Sequence, residues 1–180
     1  MNKTVPERVK ALQMLMEEKK IDTYIVLSSD AHQSEYVGSY WKARAYMSGF
    51  TGSAGTVVVT KDQAACWVDG RYFLQGETQL KGSGVQLMKM GEPGVPVWED
   101  WALEQTPQGG VVGIDGRTIG YAQASQLKTK LALSQISLSC QEDLVGQIWE
   151  DRPSLPLSPI TDFPVAFAGE SRAEKLGRLR

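Results

Sequence analysis

Segments with strand character and segments with helical character take turns along this chain, and that alternation restricts its fold more than any other feature. Thr23–Leu27 is a short β-branched and aromatic run closed by the turn cluster Ser28-Ser29-Asp30. Thr56–Thr60 and Ala64–Val68 flank Lys61-Asp62 as the two arms of a hairpin. Val85–Met88, Val111–Ile114 and Ile136–Cys140 complete the predicted strands. Between them lie helical patterns. Thr4-x-x-Glu7 is a capping box with Pro6 in the first turn, and Val9, Leu12 and Met16 follow at helical spacing toward an end near Lys20. Tyr40–Met47, Arg71–Leu80, a helix opened by Pro96 that carries Val97, Trp98, Trp101 and Ala102, Tyr121–Leu133 and Glu142–Trp149 are the other predicted helices. Strands separated by helices of this length imply βαβ crossovers, while the hairpin adds an antiparallel pair. The fold class is therefore α/β, a mixed β-sheet flanked by helices on both faces.

The pattern changes after Trp149. Four of the eight prolines, Pro153, Pro156, Pro159 and Pro164, fall in a stretch too proline-rich for helix or central strand. Residues 1–150 are thus expected to be one domain and 151–168 a linker. Ser171-Arg172-Ala173-Glu174 is a second capping box, so 169–180 reads as the first helical turns of a second domain not supplied. A helix this short is marginal alone, since isolated helices below about 12 residues rarely hold in water. The sequence is expected to be a fragment.

Composition narrows the function. A hydrophobic fraction of 42% with 22% charged residues is enough for a sizeable core. A formal net charge of −2 gives no general attraction to nucleic acid or to an anionic membrane. No run of apolar residues is long enough for a transmembrane helix, and Met1–Arg8 lacks the apolar core of a signal peptide. Cys66 and Cys140 read as reduced, semi-buried thiols of a cytoplasmic protein.

Few residues carry a chemical signal. Gly49-Phe50-Thr51-Gly52-Ser53-Ala54-Gly55 looks like a phosphate loop, but such loops aim a following helix N-terminus at the anion, and here a strand follows. Asp30, Asp69 and Asp115 each follow a predicted strand, as metal-binding carboxylates of some nucleases do, yet Asp after a strand is also an ordinary turn or N-cap residue, and Asp69-Gly70 and Asp115-Gly116 are turn dipeptides. His32 is the single histidine, too few for a paired-histidine zinc site, and its imidazole is expected to order its loop. Arg71, in Trp67-Val68-Asp69-Gly70-Arg71-Tyr72-Phe73, sits where a cation opposes the helix dipole. Trp67, Tyr72 and Phe73 are expected to enclose it partly. Its two readings are an ion pair with Asp69 and a contact to a peptide ligand. From residues alone the chain has no complete catalytic set.

Three motifs go further. Asp30-Ala31-His32-Gln33-Ser34-Glu35-Tyr36, Ser48–Thr56 and Trp67–Gln75 closely resemble cytosolic Xaa-Pro aminopeptidases of the creatinase/prolidase superfamily. Leu87–Gly91, Glu99-Asp100-Trp101 and Asp143–Pro153 fit the same family in the same order. The resemblance spans nearly the whole chain and is best to the first domain of the long three-domain form. It implies a creatinase/prolidase N-terminal fold with a ribonuclease H-like motif. It also implies a parent metalloenzyme that removes the first residue from peptides with proline second. Two divalent ions, manganese or similar, would be held by Asp, His and Glu residues of a domain beyond these residues. No catalytic or metal-binding residue is carried over to this chain. Arg71 alone is, as the family arginine that helps bind peptide substrate. A homodimeric parent is implied too, with Trp98 and Trp101 as side chains in need of cover. Two rivals stay open: a binding module of a catalytically inactive creatinase-like protein, and a nuclease using Asp30, Asp69 and Asp115.

Overall fold

The computed structural model describes residues 3–180; Met1 and Asn2, where the reading of the N-terminus begins, lie outside the described residues. Six strands form one mixed sheet: β1 (Thr23–Leu27), β2 (Thr56–Thr60), β3 (Ala64–Val68), β4 (Gln86–Lys89), β5 (Val111–Ile114) and β6 (Ser137–Ser139). Their spatial order is β4-β3-β2-β1-β5-β6. β1–β2 and β2–β3 are antiparallel, whereas β3–β4, β1–β5 and β5–β6 are parallel. Every residue of β1 and β3 is buried, as expected for strands covered on both faces.

The helices are α1 (Val5–Lys19), α2 (Ala43–Ser48), α3 (Phe73–Leu80), α4 (Trp98–Gln105), α5 (Tyr121–Ala132), α6 (Leu144–Ile148), α7 (Val165–Ala168) and α8 (Arg172–Leu179). Leu12 and Met16 of α1, Met47 of α2, Leu80 of α3 and Leu144 and Val145 of α6 pack on Tyr24, Val26, Val57, Val59 and Cys66 of one sheet face. Trp98, Trp101 and Ala102 of α4 and Leu127 and Leu131 of α5 cover Ile25, Val58, Trp67 and Val112 on the other. Burying one such Leu, Met or Val side chain contributes roughly 1.5–3 kcal/mol, so both faces matter to stability. The mixed sheet with helices on both faces is the predicted fold class.

Local chemistry sets the boundaries. The Thr4 backbone N–H donates to the Glu7 carboxylate at 2.6 Å, and α1 stops where Lys20 turns left-handed at φ 58°. The predicted Tyr40–Met47 helix splits into a 3₁₀ turn, Ser39–Trp41, and α2, because Lys42 leaves helical geometry between them. The Arg71–Leu80 helix likewise begins with a 3₁₀ turn, Gly70–Tyr72. Pro96 does not open α4. Its carbonyl is taken by the Trp67 indole N–H at 2.7 Å, Val97 becomes the extended N-cap, and α4 starts at Trp98. Trp98 and Trp101 are covered by their own chain, Trp101 lying edge-on to Trp67 at 5.3 Å, so neither needs a partner's cover. Cys66 is fully buried rather than half-buried, and burial pushes its thiol up to about 11.

Residues 152–164 have neither helix nor strand, and most are exposed. One helical turn, α7, does form within the proline-rich stretch, after Pro164 at its N-cap. The second capping box forms at Ser171 and Glu174, and α8 is exposed. Before this segment the chain is fastened to the body by a column of alternating guanidinium groups and rings. Arg8 lies 4.3 Å from the Tyr46 ring, which stacks on Trp149 at 4.3 Å; Arg152 sits 5.5 Å from Trp149 and 3.8 Å from Tyr40; Arg117 lies 5.1 Å from Trp41. Among the described residues, no helix is long and apolar enough to cross a membrane.

Candidate functional site

The register brings several loops to one end of the sheet. Leu27 pairs with Thr56, Thr56 with Trp67, and Ile25 with Ile114. The segments after β1, before β2, after β3 and after β5 therefore emerge side by side, where β1 lies between a parallel and an antiparallel neighbour. A change of strand direction at the carboxyl ends of parallel strands is where open α/β sheets form crevices. Two adjoining clefts occur here, of about 340 Å³ and about 320 Å³. They share Ser28, Glu35 and Ser53, and the second carries Arg71.

Arg71 is gripped from one side only. The Asp69 carboxylate accepts from the Arg71 backbone N–H at 3.0 Å, from its Nε at 2.9 Å and from its Nη2 at 2.8 Å. This fork holds the Asp69 carboxyl below the usual carboxylate range and raises the Arg71 guanidinium. The predicted ion pair is present. The predicted enclosure is not: the Arg71 side chain is 66% exposed, because it lies on the turn past the end of β3 while Trp67 and Phe73 pack into the core. Only Tyr72 stays near, its ring 5.2 Å from the guanidinium and its hydroxyl 2.6 Å from Ser53 Oγ. The bond to Ser53 lowers the Tyr72 phenol.

The glycine-rich loop proves to be the reverse of an anion cradle. It turns carbonyls, those of Phe50 and Gly52, onto the guanidinium of Arg44, a buried residue of α2. Arg44 Nε also donates to Ser28 Oγ at 2.8 Å, and Ser28 Oγ donates to the Gly55 carbonyl at 2.7 Å. A side chain at Gly52 would meet Phe50 at 2.3 Å, and one at Gly55 would meet the Trp67 carbonyl at 2.8 Å. Sequence reading missed Arg44. The signal was a cation just upstream of a glycine-rich loop that needs its carbonyls satisfied.

The three aspartates that follow strands do not converge. Asp30 accepts from the backbone N–H groups of His32 at 2.8 Å and Ser34 at 3.0 Å, which holds its carboxyl low. His32 thus contributes its backbone to the loop while its imidazole stands exposed; Asp30, not His32, orders the turn. Asp115 grips Arg117 as Asp69 grips Arg71, and Arg117 Nη2 also donates to Asp143 at 2.7 Å. Among the described residues, no three His, Cys, Asp or Glu side chains gather where a metal ion could be held. These residues therefore offer no set of ligands for the metal pair that the resemblance places in another domain. The nuclease reading falls with the same geometry.

The sequence profile described as the Creatinase/Prolidase N-terminal domain matches residues 8–144. Aminopeptidase P2 of Arabidopsis thaliana is 45% identical over 98% of this chain and 25% of its own length. Probable Xaa-Pro aminopeptidase P of Arthroderma otae is 43% identical over 97% of this chain and 28% of its own length. Among solved structures, the X-prolyl aminopeptidase of Caenorhabditis elegans, described as a cytosolic enzyme with a di-nuclear active site, superposes with a TM-score of 0.87. It is 31% identical, and the match covers 98% of this chain and 31% of that one. The N-terminal domain of a Corynebacterium diphtheriae metallopeptidase shares the fold at a TM-score of 0.55 and 24% identity, over 75% of this chain and 94% of its own. The chain spans about a quarter of the length of the curated relatives it matches.

Proposed function

This chain belongs to the Creatinase/Prolidase N-terminal domain family, and on that basis we propose that it is the non-catalytic N-terminal domain of a Xaa-Pro aminopeptidase. Residues 1–150 form the domain, 151–168 a linker, and 169–180 the first turns of a second domain. The parent removes the first residue from peptides with proline second. Two divalent ions, manganese in this reading, are held by polypeptide outside these residues and supply the hydrolytic chemistry. The parent works in the cytoplasm as a homodimer.

One observation carries the reading. Relatives named as aminopeptidases match 97–98% of the chain at 43–45% identity, while among the described residues no group of ligands is gathered for a metal ion. In this division of labour Arg71 is the residue that meets substrate. A guanidinium has five N–H donors, and Asp69 occupies the Nε and Nη2 edge, so Nη1 is left for a carbonyl or carboxylate of a peptide. The pairing also fixes the group before the peptide arrives, which lowers the ordering cost of binding.

The test is an assay of two proteins side by side with manganese present. The full-length parent is expected to release the first residue from an Xaa-Pro peptide, and the 180-residue chain to release none. Turnover by the isolated chain, or none by the metal-loaded parent, overturns the proposal.

A further inference from the structure

The cleft beside the Arg71 lobe differs from it in character. Tyr36, Val37, Trp41 and Ala45 give it an apolar side, Glu35, Lys42 and Thr51 a polar one, around a floor in which Arg44 is already bonded to Ser28 and to loop carbonyls. Its volume of about 340 Å³ lies within the roughly 300–1,000 Å³ usual for ligand pockets.

Both walls are anchored from behind. On one side Thr51 donates its backbone N–H to Gln79 at 2.9 Å and accepts at Oγ1 from Gln79 and Gln75 at 3.0 and 3.1 Å. Ser53 is tied to the Tyr72 hydroxyl. On the other, Arg152 Nε donates to the Tyr40 carbonyl at 2.9 Å, and the adjacent Trp41 lies against Arg117. A cavity held in shape before a guest arrives spends little binding energy on ordering. At its rim Tyr36 is 79% exposed, a large aromatic surface left to water.

We infer that this lobe is a subsite for a bulky apolar side chain of the peptide, a few residues downstream of the proline. The inference rests on the proposed function and deepens it. An extended peptide advances about 3.3 Å per residue, and the two lobes share Ser28, Glu35 and Ser53. A peptide whose backbone is held at Arg71 therefore reaches the apolar lobe within its next few residues.

The experiment uses the full-length parent, loaded with manganese, and hexapeptides with proline second that carry Phe or Gly at position 3, 4 or 5. Phe is expected to raise kcat/KM about tenfold over Gly at one of these positions, the discrimination an apolar pocket supplies. Ala45→Leu, which adds bulk to the wall of the lobe, should abolish that preference. Tyr36→Ala, at an exposed position with little role in folding, should weaken it. A parent that cleaves the peptides with no Phe preference, or whose preference survives both substitutions, overturns the subsite alone. A parent that cleaves none of them overturns the proposed function and the subsite with it.

Discussion

Two turns of this protein are built from the same three residues in the same order. Asp69-Gly70-Arg71 follows β3 and Asp115-Gly116-Arg117 follows β5; each makes a 3₁₀ turn whose aspartate accepts from the arginine backbone N–H at 3.0 Å and forks onto its side chain. What surrounds them differs. Arg117 goes on to Asp143 and to the Tyr40 hydroxyl, and Asp143 also takes Arg152. Asp115 and Asp143 are only 14% and 17% exposed. Arg71 has Asp69 and the nearby ring of Tyr72, and two-thirds of its side chain faces water. The tripeptide makes the fork, and the neighbourhood decides whether the cation is spent on structure or left facing water.

The largest expected effect separates the two arginines by activity. In the full-length parent, Arg71→Ala should lower kcat/KM about 100-fold, the scale of one lost charge-assisted hydrogen bond in the transition state. The thermal midpoint should fall less than it does for Arg117→Ala, because the lost fork is more exposed. An Arg117→Ala parent that loses as much activity with an unchanged midpoint would erase the distinction.

Next in size, Arg117→Ala should destabilise this chain by about 2 kcal/mol, because Asp115 loses its guanidinium partner and keeps only the backbone N–H of residue 117, while Asp143 is left with Arg152 and the Gly146 backbone N–H. For a chain of this size that lowers the midpoint by roughly 4–8 °C, readable by calorimetry. The smallest effect is in acid. The fork holds the folded-state pKa of Asp69 below its unfolded value of about 3.9. Its contribution to stability is therefore complete above that value and lost as pH falls through the folded pKa. Asp69→Asn should flatten the decline in stability below about pH 4, measured by urea unfolding at several pH values. An unchanged slope would mean that the fork adds nothing to the fold.

What could be read from the sequence follows how far apart the partners lie along the chain. The Asp69–Arg71 pair spans two residues, and the turn dipeptide announced it. The alternation of Thr23–Leu27, Thr56–Thr60 and Ala64–Val68 with helical stretches was enough to give the layers. Tyr40 and Arg152 are 112 residues apart, so no local pattern shows that the carbonyl of one belongs to the guanidinium of the other. The same reason hid the split of the Tyr40–Met47 helix. Arg44 is hard to read for another cause: in a helix pattern a buried arginine looks like any solvated one, and apart from Ser28 its partners are carbonyls of the glycine-rich loop, whose presence downstream is the one hint. The expected enclosure of Arg71 fails because β3 ends at Val68 and Arg71 lies on the turn beyond it, while Trp67 and Phe73 pack against the two core faces of the sheet.

The column of rings and guanidinium groups has a mechanical consequence. Its planes come from α1, from the segment around α2, from the turn after β5 and from Trp149 and Arg152 at the end of the sheet body, so several elements hold Arg152 at once. The proline-rich arm that starts at Pro153 thus has a rooted base, like a mast stepped into a hull. Any swing of the arm is confined to joints beyond the root, and a tug on it is felt first at Tyr40, whose neighbour Trp41 lines the apolar cleft.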